Sequence, residues 1–197
     1  VIGEGSAKGI CGSGLISLVA NLLLTGWMDA SGKFDRTRTS EFLRFEGRQG
    51  RYHLTTGENG IWISELDVEN LLRAKAAIYA ACALMLRQVD MTFDDVARVY
   101  IAGGFGRFLD IEQAITIGLL PDLPREKFRY IGNSSLTGSY AALVSSHHRR
   151  KQRELSDRMT YLELNTDPSY MDQYTGALFF PHTDASLFPS IKAIRKM

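Results

Sequence analysis

The chain has 197 residues, of which 45% are hydrophobic and 23% charged, a balance typical of one globular domain or two small lobes. Its net charge of +1 gives no overall electrostatic preference for nucleic acid, an anionic membrane or an acidic substrate. Cys11 and Cys82 lack the close spacing of a disulfide framework or a metal cluster, and no apolar run approaches the roughly 20 residues that span a bilayer. We therefore expect a soluble protein that holds no metal and no iron–sulfur cluster.

The first predicted helix follows a glycine-rich start. The run GSGLISLVANLLLTGWM begins at Gly12 and carries Leu15, Val19 and Leu22 near helical spacing, and Gly26 is a suitable end. Next, EFLRFEGRQGRYHLT alternates on either side of residues 47–50, which predicts a β-hairpin with a four-residue connection. A short strand is predicted at 61–64.

The strongest helical pattern covers residues 65–89. Five apolar side chains fall within an arc of about 60° at roughly 100° per residue, which predicts that they face the core: Leu71, Ile78, Cys82, Met85 and Val89. Lys75 lies just beyond the edge of this stripe, whereas Arg73 points to the opposite side. The Lys75 ammonium either reaches water along its apolar stem or is kept for a ligand.

Two consecutive units then combine a strand, a glycine turn and a helix. Residues 98–102 form a predicted strand that exits into GGFG, and a helix is predicted at 109–118. FRYIGN repeats the strand and turn, and SLTGSYAALVSSHHRR follows as a helix. Because such units place parallel strands in one layer, the predicted fold class is α/β. MTYLELN is a further candidate strand, and DPSYMDQYTGALFF a short helix.

The glycines after the first of these strands are candidate ligand-binding residues. Without a Cβ, Gly103, Gly104 and Gly106 would let an adenine ring or a ribose approach the main chain at the carboxyl end of a strand. They equally permit a tight turn, since the pattern matches neither the dinucleotide fingerprint nor the phosphate loop. Two interpretations also stay open for Gly12, Ser13 and Gly14, which could bind a phosphate or simply cap the helix.

The remaining polar candidates carry weaker signals. His147 and His148 precede a basic run at 149–153, which is either a solvated helix end or a docking patch. His182 and Asp184 in PHTD form either a hydrogen-bonded turn or a catalytic dyad. No pattern identifies a catalytic residue.

Five segments together resemble the C-terminal ATP-binding domain of the reductive activators of corrinoid proteins, the activating enzymes of corrinoid-dependent methyltransferases and O-demethylases. These segments are AKGICGSGLI, LLRAKAAIYAA, VYIAGGFGRFLD, AITIGLLPDLP and YIGNSSLTGSYAAL. The resemblance spans about residues 8–182. It implies a ribonuclease-H-like lobe of the acetate and sugar kinase, Hsp70 and actin superfamily.

The resemblance also implies roles for particular residues. AGGFG, which contains Gly103, Gly104, Phe105 and Gly106, corresponds to the adenosine motif, and Lys75 corresponds to a lysine that reaches the adenosine. The family's DxGT-like phosphate loops and its cluster cysteines have no counterpart here. The whole chain, 1–197, is therefore expected to be the distal part of one ATPase-type domain, with a core at about 8–182 and a tail at 183–197, without the [2Fe-2S] domain or the first lobe.

The function that the resemblance implies is ATP-dependent return of an inactive Co(II) corrinoid protein to Co(I), with ATP or ADP and Mg²⁺ bound by the full-length domain. A corrinoid-protein partner, a homodimer and a cytoplasmic location are expected, with no contact to nucleic acid or membrane. Two alternatives stay open at this point: a docking or dimerisation module without nucleotide binding, and a sugar-kinase-like phosphotransferase lobe.

Overall fold

The computed structural model describes residues 7–55 and 60–194, so the first six residues and the last three of the predicted tail lie outside it. The described residues form helices and short strands in the following order: α1 (Gly12–Leu24), β1 (Leu43–Glu46), β2 (Gln49–His53), β3 (Trp62–Ser64), α2 (Glu65–Arg87), β4 (Val99–Ile101), α3 (Gly103–Gly106), α4 (Ile111–Thr116), β5 (Phe128–Tyr130), α5 (Ser134–Val144), α6 (Ser146–Ser156), α7 (Ser169–Gly176) and α8 (Pro189–Ile194). No described helix combines the length and the apolar character that crossing a bilayer requires.

The strands belong to two small sheets. β1, β2 and β3 form an antiparallel sheet in sequence order, and β4 pairs in parallel with β5 through Val99 and Phe128. The parallel pair confirms the prediction of two strand, glycine turn and helix units in an α/β fold. Segment 159–165 contains no strand, so the candidate strand in MTYLELN is wrong, whereas α7 confirms the short helix after it.

The β1–β2 hairpin is tighter than predicted. Glu46 pairs directly with Gln49, which leaves Gly47 and Arg48 as a two-residue connection, with Gly47 at a φ of +60°. Gly50 is a buried residue of β2. A Cβ on it would lie 2.7 Å from the ring of Phe34. The predicted four-residue connection is therefore wrong, because Gly50 makes room for a close aromatic contact rather than for a turn.

Helix α2 buries a different face from the one its large apolar side chains predict. Ser64 and Asp67 form a capping box at its start. The predicted core stripe is largely solvent-exposed, with Ile78 at 50%, Met85 at 46% and Val89 at 62%. The buried face instead consists of the residues Val68, Leu72, Lys75, Ala76, Tyr79, Ala80 and Leu84. Helix α7 packs against α2, and the small side chains of Ala76 and Ala80 on the buried face favour close approach.

The core extends beyond the predicted boundary at residue 182. Phe188 and Ile191 are almost fully buried and belong to one apolar cluster with Phe128 and Ala76. A second cluster joins α1 to the start of α2 and to Phe180. Much of the predicted tail is therefore part of the packed unit.

Candidate functional site

Two glycine turns lie side by side at the carboxyl ends of β4 and β5. The Gly103 N–H donates to the Gly132 carbonyl oxygen at 2.8 Å, and the Ile131 N–H donates to the Ile101 oxygen at 3.0 Å. Parallel pairing therefore continues past the last strand residues and holds the two turns together. Gly103 has a φ of +87° and Gly132 a φ of +72°, a left-handed backbone that favours glycine.

Open space surrounds three of these glycines. A Cβ placed on Gly103, Gly104 or Gly132 would meet no atom within 4 Å. We call these three residues the open glycine site. The Tyr130 hydroxyl donates to the Gly103 carbonyl oxygen at 3.1 Å and so fixes the turn from one side. The site thus presents bare main chain at the strand ends, where ligands of α/β sheets bind.

Gly106 differs from the neighbouring glycines, although all three were predicted to form one nucleoside surface. Gly106 is buried, and a Cβ there would lie 2.5 Å from Ile101 Cγ2. Its missing side chain therefore makes room for the protein's own core, and the geometry does not support a ligand contact by Gly106. The Phe105 side chain is half exposed and extends towards α1.

The start of α1 lies against the AGGFG segment. A Cβ on Gly12 would lie 2.8 Å from the Phe105 ring, so these two predicted site residues are in contact. Cys11 is the N-cap, and its Sγ accepts from the Gly14 N–H at 3.4 Å. This bond confirms that the segment caps a helix. The Ser13 hydroxyl is nearly buried and lies 3.4 Å from the same sulfur, so it is engaged within the cap.

Cys11 is an exposed thiol whose pKa is lowered. The hydrogen bond with the Ser13 hydroxyl is the main cause, and the Gly14 N–H adds to it. Burial raises the pKa of Cys82, which is half-buried on α2. The thiol at the start of α1 is therefore the more readily ionised of the two.

Lys75 lies outside the open glycine site. Its side chain is completely buried, and Nζ donates to the carbonyl oxygens of Phe179 at 2.5 Å and Pro181 at 2.7 Å. The ammonium also lies 5.5 Å from the centre of the Phe180 ring. Burial lowers the pKa of Lys75 to about 7. The geometry therefore does not support the predicted nucleoside contact, because the ammonium is enclosed by residues 179–181.

The Pro181 carbonyl, one of the two that accept from Lys75, also packs against a glycine in the turn after α4. Gly118 has a φ of +73°, and a Cβ there would lie 2.1 Å from the Pro181 oxygen. Nearby, the Asp184 N–H donates to His182 Nδ1 at 2.9 Å, the hydrogen-bonded turn that PHTD suggested. The sequence places Gly118 at a helix end and Gly132 in a glycine turn, but neither was among the predicted site residues. FRYIGN was the available signal for Gly132, since it repeats the strand and glycine turn of the first unit.

Within residues 7–55 and 60–194, no three His, Cys, Asp or Glu side chains are grouped so that they could hold a metal ion.

Comparison with known proteins gives consistent matches. Residues 1–192 match the family model of the C-terminal domain of RACo, the ASKHA domain. The chain is 33% identical to the corrinoid activation enzyme RamQ of Eubacterium limosum, over 88% of this chain and 31% of RamQ. It is 25% identical to the [Co(II) methylated amine-specific corrinoid protein] reductase of Methanosarcina barkeri, over 85% of this chain and 28% of the relative.

A solved structure agrees with these sequence matches. A reductive activator for corrinoid, iron–sulfur protein superposes with a TM-score of 0.85 at 49% identity, covering 92% of this chain and 30% of that protein. The chain thus spans less than a third of the length of the relatives that it matches. The resemblance identified from the five sequence segments is confirmed, and the chain belongs to the family of the RACo C-terminal ASKHA domain.

Proposed function

We propose that this chain is the nucleotide-binding part of an ATP-dependent reductive activator, which returns an inactive Co(II) corrinoid protein to Co(I). The open glycine site carries the proposal, because Gly103, Gly104 and Gly132 leave unobstructed main chain at two adjacent strand ends. The names of the related proteins supply the corrinoid substrate and the direction of the reaction. Together these observations favour a nucleoside at the glycines.

The residues around the open glycine site suit a nucleoside better than a compact anion. A flat base needs close approach to the main chain, and the absent Cβ atoms of Gly103 and Gly104 allow that approach. The start of α1 is a neighbouring segment, since Gly12 touches Phe105, and its N–H groups favour negative charge such as phosphate. We therefore propose that the base and ribose bind at the glycines and that the phosphates extend towards Gly12 at the start of α1.

Reduction of Co(II) to Co(I) takes one electron, which we propose comes from an iron–sulfur domain elsewhere in the complete protein. By binding, the nucleotide can shift the reduction equilibrium only as far as its affinity differs between two conformations of the activator. The role of this chain is to bind and orient the nucleotide. We propose that residues 1–197 are the distal part of an ATPase-type domain, within a cytoplasmic homodimer.

Substitution of Gly104 tests nucleotide binding directly. Gly104 has an ordinary φ and open surroundings, so valine fits there without strain and only fills the space proposed for the ligand. We expect Gly104→Val in the complete protein to weaken ADP and ATP binding by about 100-fold, roughly 3 kcal/mol. Isothermal titration calorimetry measures the effect.

Gly9 provides a matched control. It also has an ordinary φ and open surroundings, but it lines a different cleft with Trp62 and Asp67. Gly9→Val should leave nucleotide affinity within about twofold, well under 1 kcal/mol. Equal affinities for Gly104→Val and the unaltered protein, with both variants folded, would refute the proposed site.

A further inference from the structure

Helix α6 and the segment after it form an exposed basic surface, which we call the basic arm and define as residues 146–162. Its charged side chains comprise five cations and two carboxylates: Arg149, Arg150, Lys151, Arg153, Arg158, Glu154 and Asp157. The whole chain has a net charge of only +1, so positive charge is concentrated here. No residue of α6 is buried.

Large apolar side chains are exposed on the same arm. Leu155 is 59% exposed, Met159 81% and Tyr161 85%. The last two are the most exposed large hydrophobic side chains of the described residues. Arginine, methionine and tyrosine are residue types enriched in protein–protein interfaces, and Met159 and Tyr161 extend this exposed surface beyond the end of α6.

Hydrogen bonds fix one face of α6 against α5 and leave the opposite face outward. Arg149 Nε donates to the Ala142 carbonyl oxygen at 3.1 Å, and Gln152 Nε2 donates to the Gly138 oxygen at 2.9 Å. At about 100° per residue, Arg150 and Lys151 point away from that face. Neither forms an ion pair within the described ranges, so their charges are available to a partner.

The same two helices connect the arm to the open glycine site. Asn133 caps α5 through Oδ1, which accepts from the Leu136 N–H at 3.1 Å, and it directly follows Gly132. A ligand at Gly103 and Gly132 would therefore lie at the start of the hairpin that carries the basic arm. This continuity places the arm where a nucleotide-dependent movement of α5 would reach it.

We propose that the basic arm docks an acidic surface of a protein partner, which is the corrinoid protein if the proposed function holds. The cations attract and orient the acidic surface, and Met159 and Tyr161 supply the apolar contact. The exposed apolar groups favour a protein as the partner. Nucleic acid binds basic surfaces mainly through its phosphates, which make no use of apolar side chains.

A pair of charge reversals tests this docking. A purified corrinoid protein in its Co(II) state is titrated into the complete protein and into two double variants of it. The test variant is Arg150→Glu/Lys151→Glu, and the control is Arg44→Glu/Arg48→Glu. Arg44 and Arg48 are exposed on the β1–β2 hairpin, so the control changes net charge equally at another place. We expect the arm variant to lose affinity by about tenfold or more, with a weaker dependence on salt, and the control to change by less than about twofold.

Three results would overturn the docking proposal: equal losses in both variants, unchanged affinity in the arm variant, or no binding of the corrinoid protein by the unaltered protein. Preferred binding of duplex DNA or anionic vesicles at the arm would overturn it as well. ADP affinity is measured in parallel. A protein that binds the corrinoid protein through the arm but binds no nucleotide would retain the docking and refute the proposed function.

Discussion

Two main-chain carbonyl oxygens hold the ammonium group of Lys75 in the protein interior. A neutral amine has two N–H donors, which matches the two acceptors on Phe179 and Pro181, whereas a charged ammonium has a third donor to satisfy. Burial accordingly lowers the pKa of Lys75 from 10.5 to about 7. Lys75 therefore anchors residues 179–181 to α2, and its titration is linked to folding.

Stability should rise with pH across the range between the folded and unfolded pKa values of Lys75. Between pH 7 and 10.5 the unfolded chain holds a proton that the folded chain has released, so the free energy of unfolding increases with pH. We expect an increase of roughly 1 kcal/mol per pH unit between pH 7.5 and 9.5 from urea denaturation. Lys75→Met should lack this increase. Because Cys82 and Tyr79 are present in both proteins, the difference between the two curves removes their contributions to the pH dependence of stability. If the free energy of unfolding changed with pH in the same way in both proteins, the lowered pKa of Lys75 would be contradicted.

The two cysteines should react at different rates. Cys11 is exposed and its pKa is lowered, while Cys82 is half-buried and its pKa is raised, so we expect iodoacetamide at pH 7.5 to alkylate Cys11 at least about tenfold faster. Peptide mass spectrometry measures both sites in one sample. If the phosphates of a nucleotide extend towards α1, ADP should slow alkylation at Cys11 and leave Cys82 unaffected. Equal rates at the two thiols would contradict the difference in ionisation.

The turn after α4 depends on a glycine for two separate reasons. Gly118 has a positive φ and also lies against the Pro181 oxygen, whereas Gly47 has a positive φ with open surroundings. Gly118→Ala should therefore lower the free energy of unfolding by about 3 kcal/mol or more, against about 1 kcal/mol for Gly47→Ala. Thermal denaturation of both variants tests this. Similar losses would show that backbone strain alone explains the requirement at Gly118.

The sequence predicts where the helices and strands lie better than it predicts which of their faces are buried. The helices α1, α2 and α7 and the parallel β4–β5 pair follow from periodicity and from glycine placement, and the family follows from the five quoted segments. Two faces of α2 carry large apolar residues at helical spacing, and periodicity alone does not choose between them. The buried one was missed because Lys75, Ala76 and Ala80 weaken its apolar pattern. Gly106 and Gly104 look alike in sequence, yet only the folded chain brings Ile101 against one of them.

Within the part of the chain that the structure describes, α2 and α5 each carry an exposed apolar stripe. One is the α2 stripe, which includes Ile78 and Met85, and beside it lies a cavity of about 320 Å³. The other is on α5, where Leu136, Tyr140 and Leu143 repeat at helical spacing and are 66–76% exposed. Apolar surface of this kind usually marks an interface. The chain spans less than a third of its relatives. We propose that other parts of a longer protein cover the stripes.

Cysteine scanning tests this covering. With Cys11 and Cys82 replaced by serine, Met85→Cys and Tyr140→Cys should react rapidly with a maleimide reagent in the 197-residue chain and at least about tenfold more slowly in the complete protein. Leu155→Cys, on the basic arm, should react rapidly in both. Rapid reaction of all three positions in the complete protein would show that the stripes stay exposed.

Amide hydrogen exchange of the complete protein, measured with and without ADP, checks our claim that a nucleoside binds at the open glycine site. We predict slower exchange in peptides covering residues 102–106 and 131–134, and no change in the β1–β2 hairpin, because only the former adjoin the proposed ligand. Unchanged exchange at both glycine turns under saturating ADP, or protection confined to other segments, would contradict the claim.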